Sequence, residues 1–93
     1  MNKAKAKAIA DKDLEFYRQL SYKEIGAKIG AVEHFERISE QGEPYQIEFD
    51  CFYDDHKSGN IRVVGIISYS GWTDFFPVTR GFILAPDGEF VDE

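Results

Sequence analysis

The chain has 93 residues, of which 43% are hydrophobic and 30% charged, and its formal net charge is −6. This length predicts a single domain over residues 1 to 93, and the composition differs from that of disordered chains. The lone Cys51 excludes an intramolecular disulfide. No apolar run reaches the ~18 residues of a membrane span, and the charged N-terminal residues lack the apolar stretch expected of a secretory signal. We therefore expect a soluble, cytoplasmic protein that does not associate with membranes.

The N-terminal segment predicts a first helix. Alternating alanines, followed by Ile9, Phe16 and Leu20 at helical spacing, favour a helix over residues 3 to 20. Residues 1 to 8 lack an apolar face, which leaves this stretch open to disorder.

A second helix is predicted to follow immediately. Ser21 and Glu24 have the spacing of a capping box, in which each residue hydrogen-bonds the backbone of the other. Apolar residues spaced by three and four then favour a helix to about Ser39. An alternative is that the helix stops at Gly30 and an extended link follows. With the first helix, this gives an expected helical region over residues 9 to 39.

The periodicity of the apolar residues changes from 3.6 to 2 after the turn-forming residues 40 to 44. Residues 45 to 53 alternate apolar and polar, which predicts a half-buried strand with its odd-numbered residues inward. Residues 61 to 69 carry apolar residues on both faces, which indicates a central strand.

The C-terminal third predicts the remaining strands. Residues 72 to 76 begin a strand that Pro77 ends or kinks. Residues 82 to 85 and 89 to 91 flank the turn sequence Pro86-Asp87-Gly88, as expected for a hairpin.

Helices that precede hairpins predict an α+β fold: two N-terminal helices packed on an antiparallel β-meander of four to five strands, within residues 45 to 91. The helices would cover the odd-numbered face, so that Phe52, Val64 and Ile66 point away from them. An apolar patch on that second face calls for a cover. The C-terminal hairpin, a second copy of the chain and a protein partner are the three alternatives.

Aromatic residues near this patch are the candidate interface residues. Trp72, Phe75 and Phe76 crowd the third predicted strand, and Phe52 lies on the second face of the sheet. Trp72 is the only tryptophan, and core and interface are equally good interpretations of it.

Residues suited to catalysis are few. Asp54, Asp55 and His56 form the only group with metal-ligand chemistry, and turn residues explain them as well. Cys51 has inward parity and is expected to be inert. We therefore predict no catalytic residue, no metal and no cofactor, with a small metal-dependent enzyme using Asp54, Asp55 and His56 as an alternative.

Charge is distributed unevenly along the chain. Residues 1 to 30 carry seven Lys and Arg against four acids, whereas residues 31 to 93 carry four against thirteen. The excess of negative charge disfavours nucleic-acid binding, because phosphates would be repelled. A nucleic-acid-associated protein using the basic N-terminal helix is the other alternative, and a stripe of Lys3, Lys7 and Lys28 would favour it.

The C-terminal residues carry a resemblance to a known family. Residues 71 to 79 read GW-xx-F-x-P-x-T, and residues 82 to 93 read F-I-x-x-P-D-G-x-F-V-x-E. This signature resembles that of a small bacterial family of uncharacterised proteins, and the similarity spans about residues 32 to 93. The resemblance implies a fold but no activity, cofactor or site residues.

The leading hypothesis from the sequence is a non-enzymatic protein-binding module, either of the immunity type or an accessory protein. Small acidic α+β proteins of this size are similar to bacterial immunity proteins, which neutralise toxins by binding them directly. A protein partner or a homodimer is the expected mode of association.

Overall fold

An antiparallel sheet with helices on one face makes up the residues described by the computed structural model, 1 to 69 and 77 to 91. The elements in chain order are α1 (Lys3–Arg18), α2 (Tyr22–Gly26), β1 (Glu33–Ile38), β2 (Pro44–Tyr53), β3 (Ile61–Tyr69) and β4 (Val78–Leu84). Each strand pairs antiparallel with the next, in the order β1-β2-β3-β4. The predicted α+β class and antiparallel meander are confirmed. Four strands lie among the described residues, and the first of them, β1, lies before the predicted start of the sheet at residue 45, in the region predicted to be helical.

Helix α1 is held at its start by a side-chain cap and along its length by an apolar stripe. The Asn2 side chain accepts a hydrogen bond of 2.8 Å from the Lys5 amide. The buried residues recur at intervals of three and four, as a helix facing a sheet requires: Ala6, Ala10, Leu14 and Tyr17. Because the helix begins at Lys3 and Ala6 is buried, residues 3 to 8 are helical where the sequence left disorder open for residues 1 to 8.

Helix α2 begins as predicted but ends much earlier. The Ser21 hydroxyl accepts from the Glu24 amide at 3.1 Å, and the Glu24 carboxylate accepts from the Ser21 amide at 2.9 Å. The helix ends at Gly26, and Gly30 adopts a φ of +85°, a left-handed conformation that an α-helix does not tolerate. The expectation of a helix to Ser39 is wrong; the alternative of a stop near Gly30 is closer.

Strands β2 and β3 form the centre of the sheet and match their predictions. Ile47, Phe49 and Cys51 are buried in β2, which confirms the inward odd-numbered parity. Strand β3 pairs with β2 on one side and with β4 on the other, which confirms its central position.

Two glycine-containing turns close the hairpins at either end of the sheet. Gly42 and Gly88 have φ values of +81° and +90°, and each donates its amide to the carbonyl three residues earlier, at 2.9 Å. Phe90 then forms an isolated bridge to Leu84, so the predicted turn is present, but residues 89 to 91 do not form the predicted strand. The strand before this turn, β4, begins earlier than expected, at Val78. The predicted strand over residues 72 to 76 lies outside the described residues.

Candidate protein-binding surface

The helix side of the sheet holds the core and is occupied by the protein itself. Tyr17 of α1 stacks on Phe49 of β2, with ring centroids 4.7 Å apart. Gly65 leaves room for the Phe49 ring, because a Cβ on Gly65 would lie only 3.2 Å from that ring; the Leu14 side chain of α1 packs over the same position, 3.6 Å from where the Cβ would be. These contacts fix the odd-numbered face of β2 and β3 against α1.

The other side of the sheet, which we call the open face, presents an apolar cluster formed by Phe52, Val64, Ile66 and Ile83. Pairing places Phe52 opposite Arg62, and Arg62 opposite Ile83. Val64 follows Arg62 by two residues in β3, so it is the diagonal neighbour of both. Phe52 is 39% exposed. The parity argument from the sequence therefore locates this apolar patch correctly.

Carboxylates border the apolar cluster directly. On β2, Glu48 lies opposite Ile66 of β3, and Asp50 lies opposite Val64 of β3. Glu36 of β1 is one strand farther out, opposite Gln46. None of the three carboxylates forms an ion pair with the residues that the structure describes. Their negative charge is thus available to a partner.

The single guanidinium of the described open face does not offset these carboxylates. Arg62 donates from Nε to Oδ1 of Asp54 at 2.8 Å, in the loop that follows β2. This pair neutralises Arg62 locally and holds it beside the apolar cluster. The open face therefore keeps an excess of negative charge.

The C-terminal hairpin leaves the open face uncovered in the described residues. Phe90 packs edge-on against Phe82, with ring centroids 5.4 Å apart, and Phe82 belongs to the helix side of β4. The Arg18 guanidinium of α1 lies over both rings, 4.6 and 5.1 Å from their centroids. The C-terminal hairpin was one of three alternatives for covering this face of the sheet. Residues 77 to 91 do not cover it, so that alternative is wrong for these residues.

The four candidate interface residues divide between the described and the undescribed parts of the chain. Trp72, Phe75 and Phe76 lie outside the described residues, so their role stays a prediction. Phe52 is the fourth, and it lies within the apolar cluster of the open face.

The loop after β2 does not assemble a metal centre. Asp54 is engaged by Arg62, while Asp55 and His56 are exposed. The His56 carbonyl accepts the Gly59 amide at 3.0 Å, a contact that closes a turn. Within the described ranges no three His, Cys, Asp or Glu side chains gather as ligands. The metal-dependent enzyme thus gains no support from the geometry.

Cys51 lies in the core, 3% exposed. Burial raises the pKa of its thiol to about 11, and the negative charge of Asp50 acts in the same direction. A buried thiol that stays protonated is a poor nucleophile, in agreement with the predicted inert role.

A hydrogen bond between Tyr17 and Glu33 ties α1 to β1, and the sequence analysis missed it. The Tyr17 hydroxyl donates to Glu33 Oε1 at 2.6 Å, and Lys28 Nζ donates to the same oxygen at 3.2 Å. Burial, followed by this hydrogen bond, raises the Tyr17 pKa, and the Tyr17 hydroxyl lowers the Glu33 pKa. No local pattern reveals a contact across 16 residues.

The three lysines whose alignment in a stripe would favour the nucleic-acid alternative do not come together. Lys3 and Lys7 are exposed on the first turns of α1. Lys28 binds Glu33 and lies near Tyr17, which is about 20 Å along the helix axis from Lys3. The described residues also include no helix long and apolar enough to cross a membrane.

No family model, curated protein or solved structure matches the chain. The resemblance of the C-terminal signature to an uncharacterised bacterial family therefore stays a prediction.

Several residues of this surface carry no signal of their own in the sequence. Ile83, Glu48 and Asp50 belong to it because of how β2, β3 and β4 pair. The even-numbered parity of residues 45 to 53 already placed Glu48 and Asp50 beside Phe52. Ile83 required the register of β4, which the chain does not reveal locally.

Proposed function

We propose that this chain is a non-enzymatic protein-binding module whose open face docks onto a basic protein. The observation that carries the proposal is the apolar cluster around Val64 with Glu48 and Asp50 at its border. Interfaces join an apolar centre, which supplies affinity, to a charged rim, which selects the partner. A positively charged surface with an apolar centre is the complement of this face.

The charge of the whole chain supports the same partner. A net charge of −6 attracts a basic protein over a distance of about one Debye length, near 8 Å at physiological salt, and speeds their encounter. An immunity-type or accessory protein works by such direct binding and needs no catalytic centre. Within this proposal the protein acts in the bacterial cytoplasm, where a lone unpaired cysteine is common.

A charge-neutralising variant with a matched control tests the proposal. Glu48→Gln with Asp50→Asn removes two charges from the open face at nearly constant shape. Glu15→Gln with Glu40→Gln removes two exposed charges elsewhere. Each immobilised chain is used to capture proteins from a lysate of the source organism, and the bound proteins are quantified by mass spectrometry.

The expected result is one basic protein that the wild type and the control retain in near-equimolar amount. The open-face variant should retain about tenfold less of it, since two charge contacts at the border of the interface are lost. Equal retention of every protein by the open-face variant and the control would contradict the proposal.

A further inference from the structure

Strand β1 has one edge that no described residue covers. It pairs with β2 through one edge, and from His34 to Ile38 each of its residues is exposed. By contrast, the free edge of β4 is partly covered, because the Val91 amide donates to the Ile83 carbonyl at 2.9 Å. An exposed strand edge is a template for pairing with another strand.

The hydrogen bonds between β1 and β2 alternate along the strands, and this alternation identifies which backbone N–H and C=O groups of β1 point toward the free edge. The Ser39 amide donates to the Glu43 carbonyl at 2.8 Å, so Ser39 and Glu43 are a hydrogen-bonded pair. Such pairs alternate along an antiparallel ladder. The N–H and C=O groups of His34, Glu36 and Ile38 therefore point away from β2, toward the free edge.

The sequence of β1 is complementary to itself in one antiparallel register. When Phe35 of one copy faces Phe35 of another, His34 faces Glu36 and Glu33 faces Arg37 on both sides of the centre. One residue before the strand, Val32 faces Ile38. Every opposed pair then joins unlike charges, an imidazole to a carboxylate, or two apolar side chains, and such cross-strand pairs stabilise a sheet.

The neighbouring registers are less favourable. If one strand slides by two residues along the other, the outward-pointing N–H and C=O groups still face each other. The centre of the register then moves from Phe35 to Glu36 or to His34. The first places two Glu36 carboxylates directly opposite each other, and the second opposes two imidazoles. A shift to the registers between these would set outward backbone groups against inward ones and break the ladder.

Apolar exposure is concentrated along the same edge. Among the described residues, five large hydrophobic side chains are exposed, and three of them are Val32, Phe35 and Ile38. A fourth, Phe16 of α1, is 61% exposed and lines a groove of about 590 Å³ together with Phe35. Pairing through β1 would shield these side chains from water.

We propose that two copies of the chain associate through β1, antiparallel and centred on Phe35. The arrangement is two-fold symmetric and joins the two sheets into one of eight strands, with helices on one side and both open faces on the other. Arg37 already donates to Asp13 at 3.2 Å and keeps further N–H donors, while Glu33, which this register places opposite it, accepts from Tyr17 and Lys28 through Oε1 and keeps its second carboxylate oxygen for this contact. The association is separate from partner binding by the open face.

The first test removes one outward backbone donor. Sedimentation velocity over about a hundredfold range of concentration should show a reversible dimer of the wild-type chain. Glu36→Pro deletes an N–H that faces away from β2, so it should weaken dimerisation at least about tenfold and leave the circular dichroism spectrum intact. Glu36→Ala retains the N–H and loses only the exposed His34–Glu36 side-chain pair on each side of the centre, so it should weaken dimerisation by about fivefold at most.

The second test reads the register. Phe35→Cys should form an intermolecular disulfide on mild oxidation, because opposed residues of a non-hydrogen-bonded pair have Cβ atoms close enough to bridge. His34→Cys and Glu36→Cys should cross-link much less, and the wild type, with only the buried Cys51, should not cross-link.

Three outcomes would overturn the proposal: a monomer at every concentration, a dimer equally stable in Glu36→Pro, or faster cross-linking from position 34 or 36 than from position 35. The open-face variant Glu48→Gln with Asp50→Asn should dimerise like the wild type. Failure of dimerisation and failure of partner binding are therefore told apart.

Discussion

Cys51 provides a residue-scale test of the core. Because the thiol is buried and burial raises its pKa to about 11, we expect it to resist a thiol reagent such as DTNB at mildly alkaline pH in the folded protein. Full reaction should follow after unfolding in guanidinium chloride. Rapid and complete labelling under native conditions would show that β2 is not packed against α1 as described.

Two glycines predict opposite effects of the same substitution. A Cβ on Gly81 would lie far inside the contact distance of the Val63 carbonyl on the neighbouring strand, so Gly81→Ala must displace backbone. A Cβ on Gly26 would meet only the Ile61 side chain, at 3.8 Å. Gly81→Ala should lower the free energy of unfolding by about 1–3 kcal/mol, and Gly26→Ala should raise it by about 0.4–1 kcal/mol.

Chemical denaturation of both variants measures this difference. Both substitutions add one methyl group to a glycine, so they are chemically matched. The opposite signs of the two changes in the free energy of unfolding therefore report the packing around each glycine. A Gly81→Ala protein as stable as the wild type would mean that β3 and β4 are not as close as described.

At the scale of elements, the Tyr17–Glu33 hydrogen bond predicts a dependence of stability on pH. The pKa of Glu33 is lowered in the folded protein from an ordinary value of 4.5, first by the Tyr17 hydroxyl and then by Lys28. A lowered pKa gives stabilisation that is present above pH 4.5 and lost as the pH falls through the folded-state value. Glu33→Gln should therefore flatten the acid-side decline in the free energy of unfolding.

Tyr17→Phe supplies the matching variant, because it removes the hydroxyl that lowers the Glu33 pKa most. Its acid-side decline should also be shallower than that of the wild type, and the double variant should add little. Urea denaturation at a series of pH values measures all four proteins. An unchanged decline in Glu33→Gln would contradict the tie between α1 and β1.

Strand β1 shows why part of the fold could not be predicted from the sequence. Val32, Phe35 and Ile38 are spaced by three, which is typical of a helix face. On an edge strand with both sides exposed, burial does not impose a period of two, so this spacing carries no information about conformation. Gly30, which adopts a left-handed φ four residues after α2 ends at Gly26, indicates a break in the sequence, whereas the apolar spacing favours a continuing helix.

Strands β2 and β3 show the reverse. Ile47, Phe49 and Cys51 are buried because one face of β2 packs against α1, and burial of one face imposes alternation. The same alternation located Phe52 on the open face from the sequence. The position of Phe52 could be predicted because burial of the opposite face of β2 fixes the alternation of its residues. The position of Ile83 could not, because it depends on how β4 pairs with β3.

For the molecule as a whole, charge predicts the absence of nucleic-acid binding. The chain carries 17 acids against 11 Lys and Arg, and Lys5 and Lys28 are engaged by Glu43 and Glu33. We expect no measurable binding to single- or double-stranded DNA at about 0.15 M salt, as followed by fluorescence anisotropy. Micromolar binding that weakens steeply as salt is added would show that α1 acts independently of the net charge.

The most direct test of the binding module is to ask which surface touches the partner. A photoreactive benzoylphenylalanine replaces Phe52 in the open face, and in a second protein it replaces Glu15, which is exposed on α1. After irradiation in a lysate of the source organism, we predict that the position-52 protein forms one dominant adduct with a basic protein and that the position-15 protein does not. No adduct from position 52, or the same adducts from both positions, would contradict the account.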